Sequence, residues 1–163
     1  MNTLVRRQGY GAILFSLIVA WVLSVIPLPE TMQTWRPDWP LLVLIYWSLA
    51  LPHRVSIGTA WLAGIVQDVL VGTLIGQHAL SYAIVVYLTV RLHQRLRLFP
   101  RWQQMLSLLL LLTLGQLILL WVNGIIGRPI HSWLYWMPSV LGALLWPVIY
   151  LLLRSLRRSF RVT

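Results

Sequence analysis

Seven carboxyl and imidazole side chains are available for acid–base or metal chemistry in this chain of 163 residues. They are Glu30, Asp38, Asp68, His53, His78, His93 and His131. The acids are far apart in sequence, and no two histidines have the spacing of zinc ligands. The absence of cysteine excludes disulfides, thiolate metal sites and cysteine nucleophiles. This inventory predicts a protein that is not an enzyme and has no metal or cofactor.

Asp68 is the one ionisable residue that falls well inside an apolar stretch. A carboxylate at the centre of a membrane helix costs roughly 3 kcal/mol on insertion scales, so we expect it to face protein rather than lipid. Ala60, Gly64 and Gly72 lie at steps of four residues from it. Such a stripe of small residues lets a second helix approach closely.

The expected partner of Asp68 is Gln116, because the two residues lie at similar depths in their predicted spans. Arg36 and His78, near the ends of spans, are alternative partners. A buried structural hydrogen bond is the simpler interpretation. A transport or proton-relay role for Asp68 is the second.

The arginines predict how the chain is oriented in a membrane. All 13 basic residues are arginine, and they occupy the gaps between long apolar runs. Numbering the gaps alternately as the two sides of a bilayer places eleven arginines on one side and two, Arg36 and Arg128, on the other. Positive charge accumulates in cytoplasmic loops, so both termini are predicted to be cytoplasmic.

The apolar runs predict an all-α integral membrane protein, a six-helix transmembrane bundle in a single domain, 1–163. The spans are expected at about 10–26, 39–51, 55–71, 77–90, 105–122 and 133–153, the first of them not cleaved. The second and fourth are shorter than the roughly 17 to 25 residues that cross a bilayer. The second could instead be re-entrant, which would place the arginines of 91–101 outside.

Residues 91–102 read as an amphipathic segment lying in the cytoplasmic interface, because Leu92, Leu96 and Phe99 recur at helical spacing. A membrane-surface anchor is the simpler interpretation, and a docking surface for an acidic partner is the other. The net charge of +10 does not indicate nucleic-acid binding, because the arginines lie at the ends of apolar segments. It indicates membrane topology and contact with anionic headgroups of the lipid bilayer.

The stretch 36–80, together with Trp102-Gln103-Gln104 and Trp146-Pro147, resembles the MreD family of bacterial rod-shape proteins. The most specific part contains Arg36-Pro37-Asp38-Trp39, Tyr46-Trp47 and Ala50-Leu51-Pro52-His53-Arg54-Val55, followed by spaced glycines. We therefore take twelve residues as candidates for helix packing or partner contact. They are Arg36, Asp38, Trp39, Pro52, His53, Arg54, Gly58, Gly64, Asp68, Gly72, Gly76 and Gln116.

The resemblance implies a multi-pass protein of the bacterial inner membrane with no enzymatic activity. It would act as a scaffold of the cell-elongation machinery, binding MreC and supporting lateral peptidoglycan synthesis, with MreB filaments and the RodA–transpeptidase synthase as indirect partners. The family is also similar to the six-helix substrate-binding subunits of energy-coupling-factor transporters. The alternative function is thus a small-molecule-binding membrane subunit of a transporter, which should have an external cavity lined by several polar groups. The outer halves of the predicted spans offer few such groups beyond Asp68, Gln116 and Asn123.

Overall fold

The computed structural model describes the backbone of residues 3–33, 35–127 and 133–159, and the side chains of these residues from Tyr10 onward. Within these ranges every regular element is helical. The elements are α1 (Thr3–Val25), α2 (Glu30–Gln33), α3 (Trp39–Ala50), α4 (Ile57–Val71), α5 (Gln77–Leu98), α6 (Arg101–Ile125), a 3₁₀ turn (Trp133–Trp136) and α7 (Met137–Ser159). Arg128, one of the two arginines predicted to be external, lies outside the described residues, as do His131 and Arg161.

Two described segments are long and apolar enough to cross a membrane, Arg101–Ile125 and Trp133–Ser159. Three shorter apolar segments accompany them, Tyr10–Val25, Trp39–Ala50 and Ile57–Val71. The described chain is therefore an all-helical bundle of the kind that membrane proteins form. The count of six crossings and the side on which the termini lie stay predictions from the arginine pattern.

Helix α3 is the centre of the bundle. All of its residues from Pro40 to Leu49 are buried, and it packs against α1, α5 and α7. A helix that is apolar on every side is stable only when it is surrounded, which explains its unbroken apolar sequence. Its 12 residues extend only about 18 Å. Arg97 of α5 donates hydrogen bonds to the carbonyls of Leu49 and Ala50, which lie in the last turn of α3.

Helix α5 differs from the prediction of a short span followed by a separate surface segment. One continuous helix runs over Gln77–Leu98, and α6 begins at Arg101. The sequence contains no helix breaker until Phe99-Pro100, where the proline disfavours helical geometry in the residue before it. The amphipathic residues 91–98 are thus the last turns of α5.

Helices α4 and α5 approach each other most closely at Gly64. A Cβ atom at this position would lie 2.3 Å from the Cα atom of Ala79 and 2.7 Å from the carbonyl carbon of His78. Gly58, also a candidate for close approach, faces open space and is exposed. The predicted stripe is therefore a contact surface at Ala60, Gly64 and Asp68, which are buried, but not at Gly72, which is exposed.

Side-chain contacts define two ends of the bundle. At the first, here called the Asp68 end, the end of α4 meets the start of α5 and the end of α6 meets the start of α7. At the second, here called the arginine end, the last turns of α5 lie against the end of α3, and Gln104 near the start of α6 accepts a hydrogen bond from Trp146 of α7.

Candidate functional site: a polar cavity at the Asp68 end

The Asp68 carboxylate is fully buried and joins α4 to the start of α5. Its Oδ1 atom accepts hydrogen bonds from the Thr73 hydroxyl at 2.8 Å and the His78 backbone N–H at 2.9 Å, and lies 2.7 Å from His78 Nδ1. Its Oδ2 atom accepts from the backbone N–H of Gly76 at 2.9 Å and of Ala79 at 3.4 Å. Each acceptor position of a buried carboxylate thus has donors, as a charge in this setting requires.

Two glycines make this arrangement of Asp68 and the 72–76 loop possible. Gly72 ends α4 with φ of 79° and Gly76 precedes α5 with φ of 102°, both in the left-handed region that favours glycine. The turn they form brings backbone N–H groups to the carboxylate. A Cβ atom at either position would meet no neighbouring atom within 4 Å. Gly72 and Gly76 therefore act through backbone conformation and not through close helix approach.

Gln116, the expected partner of Asp68, instead binds α7 and the 3₁₀ turn. Its Nε2 atom donates to the carbonyl of Tyr135 at 2.7 Å, and the Tyr135 hydroxyl donates to its backbone carbonyl at 2.8 Å. Ser139 donates to its Oε1 atom. The prediction of an Asp68–Gln116 bond was wrong, and of the two alternatives the structure selects His78. The two side chains point to different neighbours, Asp68 to His78 and Gln116 to Tyr135 and Ser139.

Asp38 and Tyr82 form a second polar contact at the same end. The Tyr82 hydroxyl donates to Asp38 Oδ1 at 2.5 Å, which links the residue before α3 to α5. Burial raises the pKa of Asp38. Part of that rise is offset by three neighbouring groups, namely His78, the Tyr82 hydroxyl and the Leu41 N–H. His78 and Tyr82 also meet edge to face, with ring centroids 5.8 Å apart. Asp38 is thus linked through Tyr82 to His78, which in turn contacts Asp68.

The Arg36 side chain caps the C-terminal end of α1. Its two terminal nitrogens donate to the carbonyls of Ser24 and Ile26, which belong to the unpaired carbonyls that every helix end exposes. Its Nε atom is buried and has no hydrogen-bond partner among the described residues. Arg36 therefore fixes the 27–38 connection against α1 and keeps one donor unused.

A cavity of about 490 Å³ lies between these groups. Its lining comes from α1, α3, α4, α5, α6, α7 and the 27–38 connection. The polar lining residues are Ser24, Gln33, Arg36, Asp38, Gln67, His78, Gln116 and Ser139. The expectation that the predicted spans offer few polar groups here was wrong, since Ser24, Gln67, His78 and Ser139 line the cavity together with Gln116. Asn123 is not among them and accepts a hydrogen bond from Gln77 instead.

Four polar cavity residues were missed by the sequence analysis, Ser24, Gln33, Gln67 and Ser139, and Gln67 is the most informative of them. It is 5% exposed, and its Oε1 atom is buried without a hydrogen-bond partner among the described residues. Leaving such an acceptor unsatisfied costs about 1–3 kcal/mol. A glutamine next to Asp68 inside an apolar run was the available signal. The cavity therefore presents an unused acceptor, Gln67 Oε1, and an unused donor, Arg36 Nε.

The remaining candidate residues do not join this site. Pro52, His53 and Arg54 lie in the connection from α3 to α4 at the arginine end, where the Arg54 guanidinium lies 5.5 Å from the centroid of the Tyr10 ring. His53 is exposed. Trp39 begins α3 and is partly buried against the core.

These features define a class of protein, namely a small all-helical bundle with apolar helices that fit a membrane protein and a polar cavity at one end. No group of three or more His, Cys, Asp or Glu residues able to hold a metal ion occurs in the described part of the chain.

The comparisons with known proteins identify the family. The family model described as rod shape-determining protein MreD matches residues 5–156. The rod shape-determining protein MreD of Haemophilus influenzae is 33% identical over 150 residues, which cover 92% of this chain and 93% of that protein. No solved structure matches the chain. The chain belongs to the MreD family, whose members determine rod shape, and its apolar helices fit a membrane protein.

Proposed function

We propose that the chain is a non-enzymatic scaffold in the bacterial inner membrane that binds MreC through the cavity at the Asp68 end and so supports lateral peptidoglycan synthesis. The observation that carries this proposal is the pair of unused polar atoms in the cavity wall, Gln67 Oε1 and Arg36 Nε. A buried polar group without a partner is costly, and natural proteins retain few of them. A binding partner that supplies both a donor and an acceptor would satisfy the two atoms.

The arrangement around the cavity supports a binding role rather than catalysis. Asp68 accepts bonds from the 72–76 loop and α5, and Gln116 is engaged by Tyr135 and Ser139. These hydrogen bonds hold Gln116 in the cavity wall and fix the buried Asp68 next to it, which is a structural use of both side chains. MreB filaments and the RodA–transpeptidase synthase would be reached through MreC.

The proposed topology follows from the same geometry. The Asp68 end contains all three acids, while the arginine end contains the ends of α5 and α7 and the start of α6. With the arginine end cytoplasmic, as positive charge in short loops favours, the cavity opens outside the cytoplasm. A bitopic partner would present its membrane-proximal residues at this level.

Co-purification with MreC from solubilised membranes tests the proposal. Gln67→Leu removes the unused acceptor with little change in volume, so the free protein should be as stable as wild type or more stable. It should nevertheless recover less MreC. Val71→Trp, at a cavity-lining position that is half exposed, should reduce recovery by filling space. His53→Ala, at an exposed position of the arginine end, is the matched control and should recover wild-type amounts. Equal recovery by all variants would contradict the proposal.

A second candidate, a small-molecule-binding membrane subunit of a transporter, is favoured by the size of the cavity. Its volume of about 490 Å³ lies within the range of about 300–1,000 Å³ that is usual for ligand pockets. Mass spectrometry of the protein purified without MreC distinguishes the two. A stoichiometric small molecule that is lost in Gln67→Leu, together with a co-purified ATPase module, would favour the second candidate.

A further inference from the structure

A second groove lies between α6 and α7. Trp102, Met105, Leu106 and Leu109 of α6 form one wall, and Val140, Ala143 and Leu144 of α7 form the other. Its volume is about 340 Å³ and every lining side chain is apolar. None of the residues of the polar cavity takes part in it, so the groove is independent of the proposed MreC site.

The groove runs toward the arginine end. Its α6 wall recurs at helical spacing and ends at Trp102, one residue after Arg101 begins the helix. The Arg101 guanidinium lies 5.3 Å from the centroid of the Tyr150 ring, and Tyr150 lies two turns beyond Ala143 on the same side of α7. A basic, exposed side chain therefore stands at the mouth of an apolar groove.

No described carboxylate balances the positive charge at this end. The three acids of the chain, Glu30, Asp38 and Asp68, all belong to the opposite end. Arg95 and Arg97 in the last turn of α5 and Arg157 and Arg158 in the last turn of α7 add to the positive field. No carboxylate side chain of the described residues can therefore serve as the anion at the mouth of the groove.

We propose that this groove binds one acyl chain of an anionic phospholipid, with the phosphate of its headgroup at Arg101. An apolar groove with one charged mouth matches a lipid, which has an apolar chain below an anionic group. A guanidinium suits phosphate because its planar set of N–H donors matches the phosphate oxygens.

The charge at the mouth of the groove separates a lipid chain from a partner helix. An apolar membrane helix could cover the apolar walls but would leave the Arg101 guanidinium without an anion. A phospholipid supplies both an apolar chain for the groove and a phosphate for the guanidinium.

Native mass spectrometry in detergent, with dioleoyl phosphatidylglycerol and neutral dioleoyl phosphatidylcholine as probes, tests the proposal. The wild type should retain one phosphatidylglycerol in preference to phosphatidylcholine. Leu106→Trp and Leu144→Trp fill the groove from its two walls. Each should lower the affinity for both lipids by about tenfold, because about two methylene groups of the acyl chain would no longer be buried. Arg101→Gln should lower the affinity for phosphatidylglycerol alone, by about fivefold.

Each variant has a matched control. Leu62→Trp changes an exposed leucine of α4 that does not line the groove, and Arg91→Gln removes an arginine that also lies over a tyrosine ring, that of Tyr87. Neither should change lipid retention. The two filling variants lie on different helices, so if one fails to fold the other decides.

Three results would overturn the proposal. One is equal retention of the two lipids by the wild type. Another is loss of lipid in Leu62→Trp or Arg91→Gln as large as in the groove variants. The third is a result in which Leu106→Trp or Leu144→Trp retains as much lipid as the wild type does but loses co-purified MreC. That result would assign the groove to a partner helix.

Discussion

Replacing Gly64 by alanine should destabilise the protein, although the change adds a single methyl group to a helix. The new Cβ atom would lie 2.3 Å from Ala79 Cα, 2.5 Å from Ala79 N and 2.7 Å from His78 C. All three are backbone atoms, which cannot move aside as a flexible side chain can. Helices α4 and α5 would therefore have to separate by about an ångström or more to restore van der Waals contact.

The separation would also weaken the bonds to Asp68. The new methyl group would meet backbone atoms of His78 and Ala79. The backbone N–H groups of these two residues donate hydrogen bonds to the Asp68 carboxylate. Overpacking of this kind costs about 1–3 kcal/mol, and a weakened hydrogen bond to a buried charge adds about 1 kcal/mol. The expected loss is thus about 2–4 kcal/mol, or roughly 4–16 °C in the unfolding midpoint of a chain of this size.

Gly58→Ala is the matched control, because both glycines lie in α4. A Cβ atom at Gly58 meets nothing within 4 Å, and the position is exposed. Alanine is favoured over glycine inside a helix by up to about 1 kcal/mol, so this variant should be as stable as wild type or slightly more stable. The assay is thermal unfolding of the detergent-purified variants. Equal midpoints for Gly64→Ala and Gly58→Ala would refute the reasoning about backbone contact.

Three further predictions concern the polar groups. Asp68→Asn should lower the unfolding midpoint in detergent by an amount corresponding to about 1–3 kcal/mol, because one amide cannot accept every bond that the carboxylate accepts; an unchanged midpoint would argue against this role. Burial raises the pKa of Asp38 above its ordinary value, so the folded state favours the protonated carboxyl group. The free energy of unfolding gains from this preference in full at low pH and loses that gain as the pH rises through the raised pKa. The unfolding midpoint of the wild type should therefore fall over that interval, whereas the midpoint of Asp38→Asn should change less; parallel curves would contradict the assignment. Arg97→Met should destabilise the end of α3 by about 1–2 kcal/mol in the same assay, because two carbonyls lose their donors, whereas Arg95→Met should have no comparable effect.

The sequence predicted features that depend on one helix at a time. Apolar length, arginine-rich gaps and Pro52 located the helices of the bundle, and the glycines at 72 and 76 marked the turn between α4 and α5. The burial of Asp68 followed from the cost of exposing a carboxylate to lipid. The end of α5 was placed too early because a change in polarity was read as a change in structure, whereas the helix ends only before Pro100.

Features that depend on several helices could not be derived in this way. Matching depths suggested Gln116 as the partner of Asp68, but depth does not determine the direction in which a side chain points around its helix. Most donors to Asp68 are backbone N–H groups, which every residue but proline carries and no residue type reveals. The cavity is invisible in sequence because its polar residues are single positions on separate elements. Gln67 shows this well, since only the assembled bundle reveals that its oxygen has no partner among the described residues.

Cross-linking from the cavity tests the central proposal, that MreC binds at the Asp68 end, most directly. The chain has no cysteine, so Gln33→Cys at the exposed rim of the cavity gives a single attachment point for a thiol-directed photocross-linker. Leu62→Cys, on the exposed face of α4 away from the cavity, is the control. In solubilised complexes, irradiation should link MreC to the Gln33→Cys protein and not to the Leu62→Cys protein. An intact complex with no MreC adduct at Gln33→Cys, or with equal adducts at both positions, would contradict binding at this cavity.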